Sequence, residues 1–350
     1  MARADRKALI QKIETARKTK VICYLTSDRP NATGQVQKDV MPLFYEHLRK
    51  AGATGRVDVL IFTIGGDTLA AFGIARLIRE FSPWVGALVP EKCQSAGTLF
   101  VLGANEIMMT KGATLSPIDP SILGPLNPVV EVMPGQRQMV PLSVESVAGF
   151  KALVVEDWDM KGEAALTSSF RILAERVHPL ALGDVFRARQ QIEILAGKLL
   201  RSHRADDDAI KEIVRMLTKG LGSHDYLISR REAREMFGAQ IAVDDEKVEA
   251  MVWDLYRDFA DEMQFGVHYD HGLALKAARA AGGSPGPVSV IQRLVMVESV
   301  GSGSDVVEAE YRLSEKQPQL PLGAQLPPGL VLPTTLDAEL VRAGWTHYAT

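Results

Sequence analysis

Residues 57–81 read VDVLIFTIGGDTLAAFGIARLIREF. Residues 57–64 form a mostly apolar run, of the kind that fits a strand buried on both faces of a sheet. Gly65 and Gly66 end the run. The residues that follow place Ala70, Ile74, Leu77, Ile78 and Phe81 on one helical face. A buried strand, a glycine turn and an amphipathic helix make one parallel βα unit. The pattern then repeats. WVGALVP (84–90) reads as a strand, SAGTLFVLGA (95–104) as a helix and EIMMT (106–110) as a short strand. Strands alternating with helices predict an α/β fold around a parallel sheet.

The same reading extends in both directions. Residues 5–18 predict a short amphipathic helix, KVICYLTSDR (20–29) a strand, and VMPLFYEHLRKAG (40–52) a helix that Gly52 closes. TLSPIDPSILGPLNPVVEVMPG (114–135) is rich in Pro and Gly and reads as an ordered loop, with RQMVPL (137–142) as a strand or sheet edge. Helices are expected over 143–160, 163–177, 179–202, 206–220, 229–238 and 247–265. AAGGSPGPVS (280–289) is a linker-like break. VIQRLVMVES and DVVEAEYRLS then flank VGSGS (300–304), the pattern of a β-hairpin. Residues 315–335 are Pro-rich and expected to be extended. The expected division is an N-terminal helix (1–18), a core (19–245), and a C-terminal helix with a hairpin and Pro-rich tail (246–350).

The 350 residues are 46% hydrophobic and 24% charged, with a net charge of −3. So small a charge argues against nucleic acid as the main partner, because phosphate neutralisation needs a basic excess. Two cysteines, Cys23 and Cys93, fit a reducing compartment rather than a disulfide framework. The N-terminus is charged throughout, and no run approaches the roughly 20 apolar residues that span a bilayer. The expectation is a cytoplasmic protein with no integral membrane segment. Of the seven histidines only HYDH (268–271) is a tight pair, and it reads as surface. No metal and no cofactor are expected.

Two turns carry chemistry. Gly65 and Gly66 sit at a strand end, where glycines let the backbone approach a ligand and point N–H groups at it. Ser95 sits one strand later at a similar turn. Neighbouring parallel strands share their carboxyl-end edge, so the two turns can face each other. Ser95 is then either a helix N-cap or a nucleophile for acyl transfer. In the second case the N–H groups of Gly66 and Ala96 are placed to receive the oxyanion. A nucleotide loop is not indicated, since TIGGD lacks the G-x-G-x-x-G spacing and no P-loop lysine follows. Gly65, Ser116 and Asp119 are candidates for the substrate groove. Ser116 and Asp119 read equally as parts of the turn that Pro117 and Pro120 dictate. Asp67 reads as a helix cap as readily as a site residue, and Cys93 as a small buried filler.

Taken together, VDVLIFTIGGDTLAAFGIARLIREF, VGALVPEKCQSAGTLFVLGANEIMMTKGATLSPIDPSI (85–122) and SHDYLISRREAREMFGAQI (223–241) resemble the serine dehydrogenase proteinase family. That family is related to signal peptide peptidase A and the Clp proteolytic subunits. The resemblance spans about residues 18–245. It implies a ClpP/crotonase-like spiral of ββα units with C-terminal helices and a small β-hairpin appendage. It further implies Ser95 as nucleophile, a backbone oxyanion hole at Gly66 and Ala96, a peptide or protein substrate, and homo-oligomers.

Clp-type subunits use a His and an Asp beside the serine. Here those positions fall near Ile118 and Leu221, and no histidine lies between Ser95 and His178. Signal peptide peptidases resemble a Ser-Lys dyad instead, and Lys151, on a helix with apolar neighbours, looks like that lysine. An amine in apolar surroundings loses its proton more readily and can accept one from serine. His224 is the alternative base. Lys161 and His178 read as helix-boundary residues. The reading is an ATP-independent serine peptidase; no ATPase motif is present, so unfolding of substrates would fall to a regulatory partner. The alternatives are a catalytically silent ClpP-like scaffold and an acyl-CoA hydratase or isomerase on the same fold.

Overall fold

A computed structural model describes residues 3–52, 55–118, 121–133, 135–243, 245–281, 286–316 and 334–349. In chain order, the first half runs α1 (Arg3–Arg17), β1 (Lys20–Thr26), α2 (Met41–Ala51), β2 (Arg56–Phe62), α3 (Thr68–Phe81), β3 (Trp84–Val89), β4 (Lys92–Cys93), α4 (Ala96–Val101), β5 (Glu106–Met109) and β6 (Thr114–Leu115). Next come β7 (Ser121–Ile122), β8 (Val129–Met133), β9 (Gln136–Met139), β10 (Leu142–Ser143), α5 (Val144–Ala152), α6 (Glu163–Arg176), α7 (Pro179–Arg201) and α8 (Asp207–Arg215). The chain continues with β11 (Ile228–Ser229), α9 (Arg230–Phe237), α10 (Glu246–Met263), α11 (His271–Ala280), β12 (Val288–Ser299), β13 (Gly303–Lys316) and β14 (Thr335–Tyr348).

The main sheet has the order β14-β13-β12-β1-β2-β3-β5. β1, β2, β3 and β5 pair in parallel, and β12, β13 and β14 add to the β1 edge antiparallel. Side-chain alternation sorts the two faces. Ile22, Tyr24, Val57, Val59 and Ile61 point to one side and pack with Phe44, Ile74, Ile78, Leu99 and Leu199 from α2, α3, α4 and α7. Val21, Cys23, Leu25, Leu60 and Phe62 point to the other and pack with Ile10, Ile13, Val252, Leu255 and Phe259 from α1 and α10. A second small sheet, β11-β6-β4, continues through an isolated bridge between Cys93 and Thr63. Each of β1, β2 and β3 is thus followed by a short strand or bridge and then a helix. This is the expected ββα arrangement of a ClpP-like fold.

Several elements differ from the sequence reading. The hairpin expected as an appendage, β12 with β13, is part of the main sheet: Ile22 pairs with Ser299 and Thr26 with Val295. Pairing of this kind is invisible locally, because the partners lie hundreds of residues apart. β14 and α11 were not anticipated. The Pro-rich residues 317–333 lie outside the described residues. The loop expected at 114–135 contains strands, and β8 pairs with β9 as a hairpin whose described side chains are exposed.

Charges are buried on the α1 side. The Arg6 guanidinium is 0% exposed and reaches Glu298 of β12 at 2.7 and 2.9 Å, Asp258 of α10 at 2.8 Å and Glu262 at 2.6 Å. It also stacks 4.4 Å from the Phe259 ring centroid. Arg17 holds the buried Asp58 of β2 at 2.5 Å and Glu106 of β5 at 2.7 Å. One residue beyond Glu298 on β12, buried His47 of α2 bridges Ser299 (2.8 Å) and Asp305 (3.0 Å), and His347 meets the same carboxylate at 2.9 Å. Ser, His and Asp stand in line here, but His47 and Ser299 are buried, so this cluster joins α2 to β12, β13 and β14 and is closed to substrate.

Two outcomes follow. Arg6→Met strands Glu298 and Asp258 in the interior without their cation and is expected to lose about 3–5 kcal/mol of stability in guanidinium unfolding. Burial alone would raise the Asp305 carboxyl, but hydrogen bonds from His47 and His347 hold it below the usual carboxylate range. A depressed folded-state value contributes stability above the unfolded value and loses it as pH falls through the folded one. Asp305→Asn should therefore flatten the fall in unfolding midpoint below about pH 4, measured against wild type at the same pH values.

Candidate active site

The first turn is built around a backbone passing close by. Gly65 and Gly66 have φ of +117° and +140°, a region that disfavours side chains. Val36 N donates to Gly65 O at 2.9 Å, and Asp67 N donates to Val36 O at 2.8 Å. A Cβ on Gly66 would lie 2.5 Å from Val36 N. The buried Thr63 hydroxyl accepts from Gly65 N at 3.0 Å and meets Thr26 Oγ1 at 2.8 Å. Asp67 caps α3 by accepting from Leu69 N (2.8 Å) and Ala70 N (3.2 Å), so its cap reading holds.

The second turn touches the first. A Cβ on Gly65 would lie 2.9 Å from Ser95 Cβ and 3.3 Å from Ser95 Oγ. Gly97 lets α4 sit against Thr63 and Cys93, since a Cβ there would lie 2.9 Å from Cys93 Sγ. Ser95 stands at the N-cap position of α4, but its side chain makes no capping hydrogen bond. Its backbone has φ +51° and ψ −112°, which for a non-glycine residue costs on the order of 1–3 kcal/mol. Backbone strain of this kind concentrates at functional sites. Among the described residues, Ser95 Oγ and the N–H groups of Gly66 and Ala96 have no hydrogen-bond partner. Gly66 is exposed and Ser95 half-buried, so the turns open to solvent.

The other candidates are distributed as follows. Ser116 is not a groove residue: it is 3% exposed, and its Oγ accepts from Ser95 N at 2.8 Å and donates to Pro117 O at 3.0 Å. Asp119 lies outside the described residues. Cys93 is a buried filler whose thiol burial pushes up. Lys151 is exposed on α5, with no hydrogen bond or ion pair to Ser95 among the described residues. It lines an apolar cavity of about 450 Å³ between α5, α6 and α7, with Phe150, Val154, Phe170 and Val185. His178 caps α7 by accepting from Leu180 N at 3.2 Å, and Lys161 pairs with Asp159.

His224 lies in the segment before β11. That segment wraps the Ser95 support: β11 pairs with β6, and Ile118 N donates to Leu217 O at 3.0 Å. His224 Nδ1 is buried without a hydrogen-bond partner. The sequence reading passed over Thr26, Thr63 and Thr98, whose hydroxyls brace both turns. Their common signal is a threonine at a strand end or in the first turn of a helix.

Residues 1–139 match the family described as ClpP-like SDH-type serine proteinase, and the expected resemblance is borne out over that part of the chain. Two uncharacterized proteins of Methanocaldococcus jannaschii are 29% identical over 189 and 181 residues. These matches cover 54% and 51% of this chain and 54% and 50% of the relatives, so the chain spans about half the length of the curated relatives it matches. Among solved structures, a mutant of the 1510-N membrane-bound stomatin-specific protease is 13% identical over 67% of this chain and 85% of its own, with a TM-score of 0.38. ClpP1 from Listeria monocytogenes is 14% identical over 69% and 99%, with a TM-score of 0.36. Among the described residues, no helix is long and apolar enough to cross a membrane.

The contact between the turns is directly testable. Gly65→Ala drives a methyl into Ser95 at a positive φ and should cost about 1–3 kcal/mol by thermal or denaturant unfolding. Gly112→Ala, with nothing within 4 Å of the new methyl, should leave the midpoint near wild type.

Proposed function

We propose that the chain is an ATP-independent serine peptidase with Ser95 as nucleophile. The observation that carries this reading is the Ser95 backbone: it is held at φ +51°, packed on Gly65, and among the described residues neither its hydroxyl nor the neighbouring Ala96 N–H has a hydrogen-bond partner. Ser95 Oγ attacks the scissile carbonyl carbon. The oxyanion accepts from the N–H groups of Ala96 and Gly66, each such donor being worth about 10²–10³ in rate. The base takes the serine proton and passes it to the leaving amine. Water then hydrolyses the acyl-enzyme by the same steps in reverse. The peptide lies extended beside the Gly65–Gly66 turn.

Lys151 is the proposed base. Its support is the resemblance to Ser-Lys enzymes and the apolar cavity on whose rim it stands. The reading requires the Lys151 amine to come within hydrogen-bond reach of Ser95 Oγ. His224 is a second reading, favoured by its unpaired Nδ1 on the segment that wraps the Ser95 support. An acyl-CoA enzyme is disfavoured: it needs acidic groups in the site, and the described carboxylate nearest the turns, Asp67, is occupied as a cap. A homo-oligomer is part of the proposal. α6 buries no residue, and Phe170 and Ile172 on it are exposed, as are Leu180 and Phe186 on α7. Such a helix gains its stability by packing on a neighbour.

A fluorophosphonate probe tests the chemistry. Wild type should label, and Ser95→Ala should not. Lys151→Ala should lose at least about 10²-fold in labelling rate, the scale of general-base loss. Retained labelling in Lys151→Ala with loss in His224→Ala transfers the base to His224. Folded wild type that never labels favours the silent scaffold. For assembly, Phe170→Glu combined with Ile172→Glu should lower the mass seen by light scattering.

A further inference from the structure

Two buried hydroxyls close a ring beneath Ser95. Ser95 N–H, the amide that enters the strained residue, donates to Ser116 Oγ at 2.8 Å. Ser116 Oγ directs its own proton to Pro117 O at 3.0 Å, so the oxygen presents only lone pairs to Ser95. Ser116 N donates to Thr98 Oγ1 at 3.0 Å, and Thr98 Oγ1 donates to Cys93 O at 2.9 Å. Cys93 and Leu115 are register partners in the small sheet. The ring therefore runs from the end of β4, through the first turn of α4, to the residue after β6, and back to Ser95. Thr98 is 0% exposed and Ser116 3%, so neither hydroxyl reaches substrate.

We infer that Ser116 and Thr98 are positioning residues that hold the Ser95 backbone at positive φ and thereby aim its hydroxyl. The inference rests on Ser95 being the nucleophile. Ser116 fixes the amide side of Ser95, while the carbonyl side is fixed by Leu99 N at 3.0 Å within α4. Without the Ser116 oxygen, the amide has no partner in the interior and the turn can relax toward negative φ. Thr98 acts one bond further out, by orienting Ser116. Sequence reading left Ser116 between the groove and the Pro117 turn; its burial and its bonds assign it to the support.

The test uses Ser116→Ala and Thr98→Val, the second being nearly isosteric and so the safer fold, with Thr98→Ser as the variant that restores the hydroxyl. In folded protein, fluorophosphonate labelling and peptide kcat should fall by about 10²-fold, the scale of a small misplacement of a reacting group, with KM nearly unchanged. Thr98→Ser should recover most of the rate. Site-resolved hydrogen exchange at the Ser95 amide should accelerate in Ser116→Ala. Folded variants that label at the wild-type rate overturn the inference, as does a Ser95 amide whose exchange does not change. A wild type that never labels fails the peptidase reading instead, and the Ser95 amide then decides the clamp by itself.

Discussion

The approach of the Gly65 backbone to Ser95 Cβ constrains most of what surrounds it. A side chain at position 65 would fill the space that Ser95 occupies, and one at position 66 would strike Val36. The two glycines allow two strand-end turns to share one place. Parallel pairing of β2 with β3 brings those turns to the same edge, and the bridge from Thr63 to Cys93 sets their spacing. Ser95 then has little freedom: its amide is bound by Ser116, its carbonyl is bound within α4, and its side chain packs on Gly65. Placement of Ser95 is thus largely a backbone matter, as its proposed role in acyl transfer requires.

The sheet beneath is insulated on both faces, and the two faces differ in chemistry. The α2–α3–α4–α7 side carries the larger apolar cluster, with the buried His47 of α2 as its polar contact to β12 and β13. The α1–α10 side carries the buried Arg6 and the half-buried Arg17 with their carboxylates. Buried pairs of this kind contribute little net stability over apolar packing, but breaking one partner is costly. Their geometric effect is to fix which strand α1 crosses and where α10 docks.

Much of the core was legible because its signals are local. The apolar run of β2, the glycine pair and the amphipathic face of α3 lie within one short stretch. Ser95 was legible as one of two things; its side chain makes no capping hydrogen bond, which fits the proposed nucleophile. What was not legible depends on distant partners. Nothing in residues 288–299 states that they pair with β1 and not merely with β13. β14 follows a Pro-rich run, and its exposed, charge-rich alternation resembles a surface segment. The roles of Thr63, Thr98 and Ser116 exist only as hydrogen bonds across turns. Lys151 could be placed on a helix, but helical position carries no information about its distance from Ser95.

The pairing of β1 with β12 has a consequence for synthesis. β1 is made long before β12, and it lies inside the finished sheet with β2 on one side and β12 on the other. Arg6 waits for Glu298, a partner 292 positions later. Until residues 288–299 emerge, β1 presents an open hydrogen-bonding edge and α1 carries a guanidinium without its carboxylates. An unpaired edge of that kind is the template on which chains mispair, and non-local closure is the slow step of such folds. The nascent chain can therefore assemble the Ser95 turns early, yet it cannot seal the sheet beneath them until β12 has been translated.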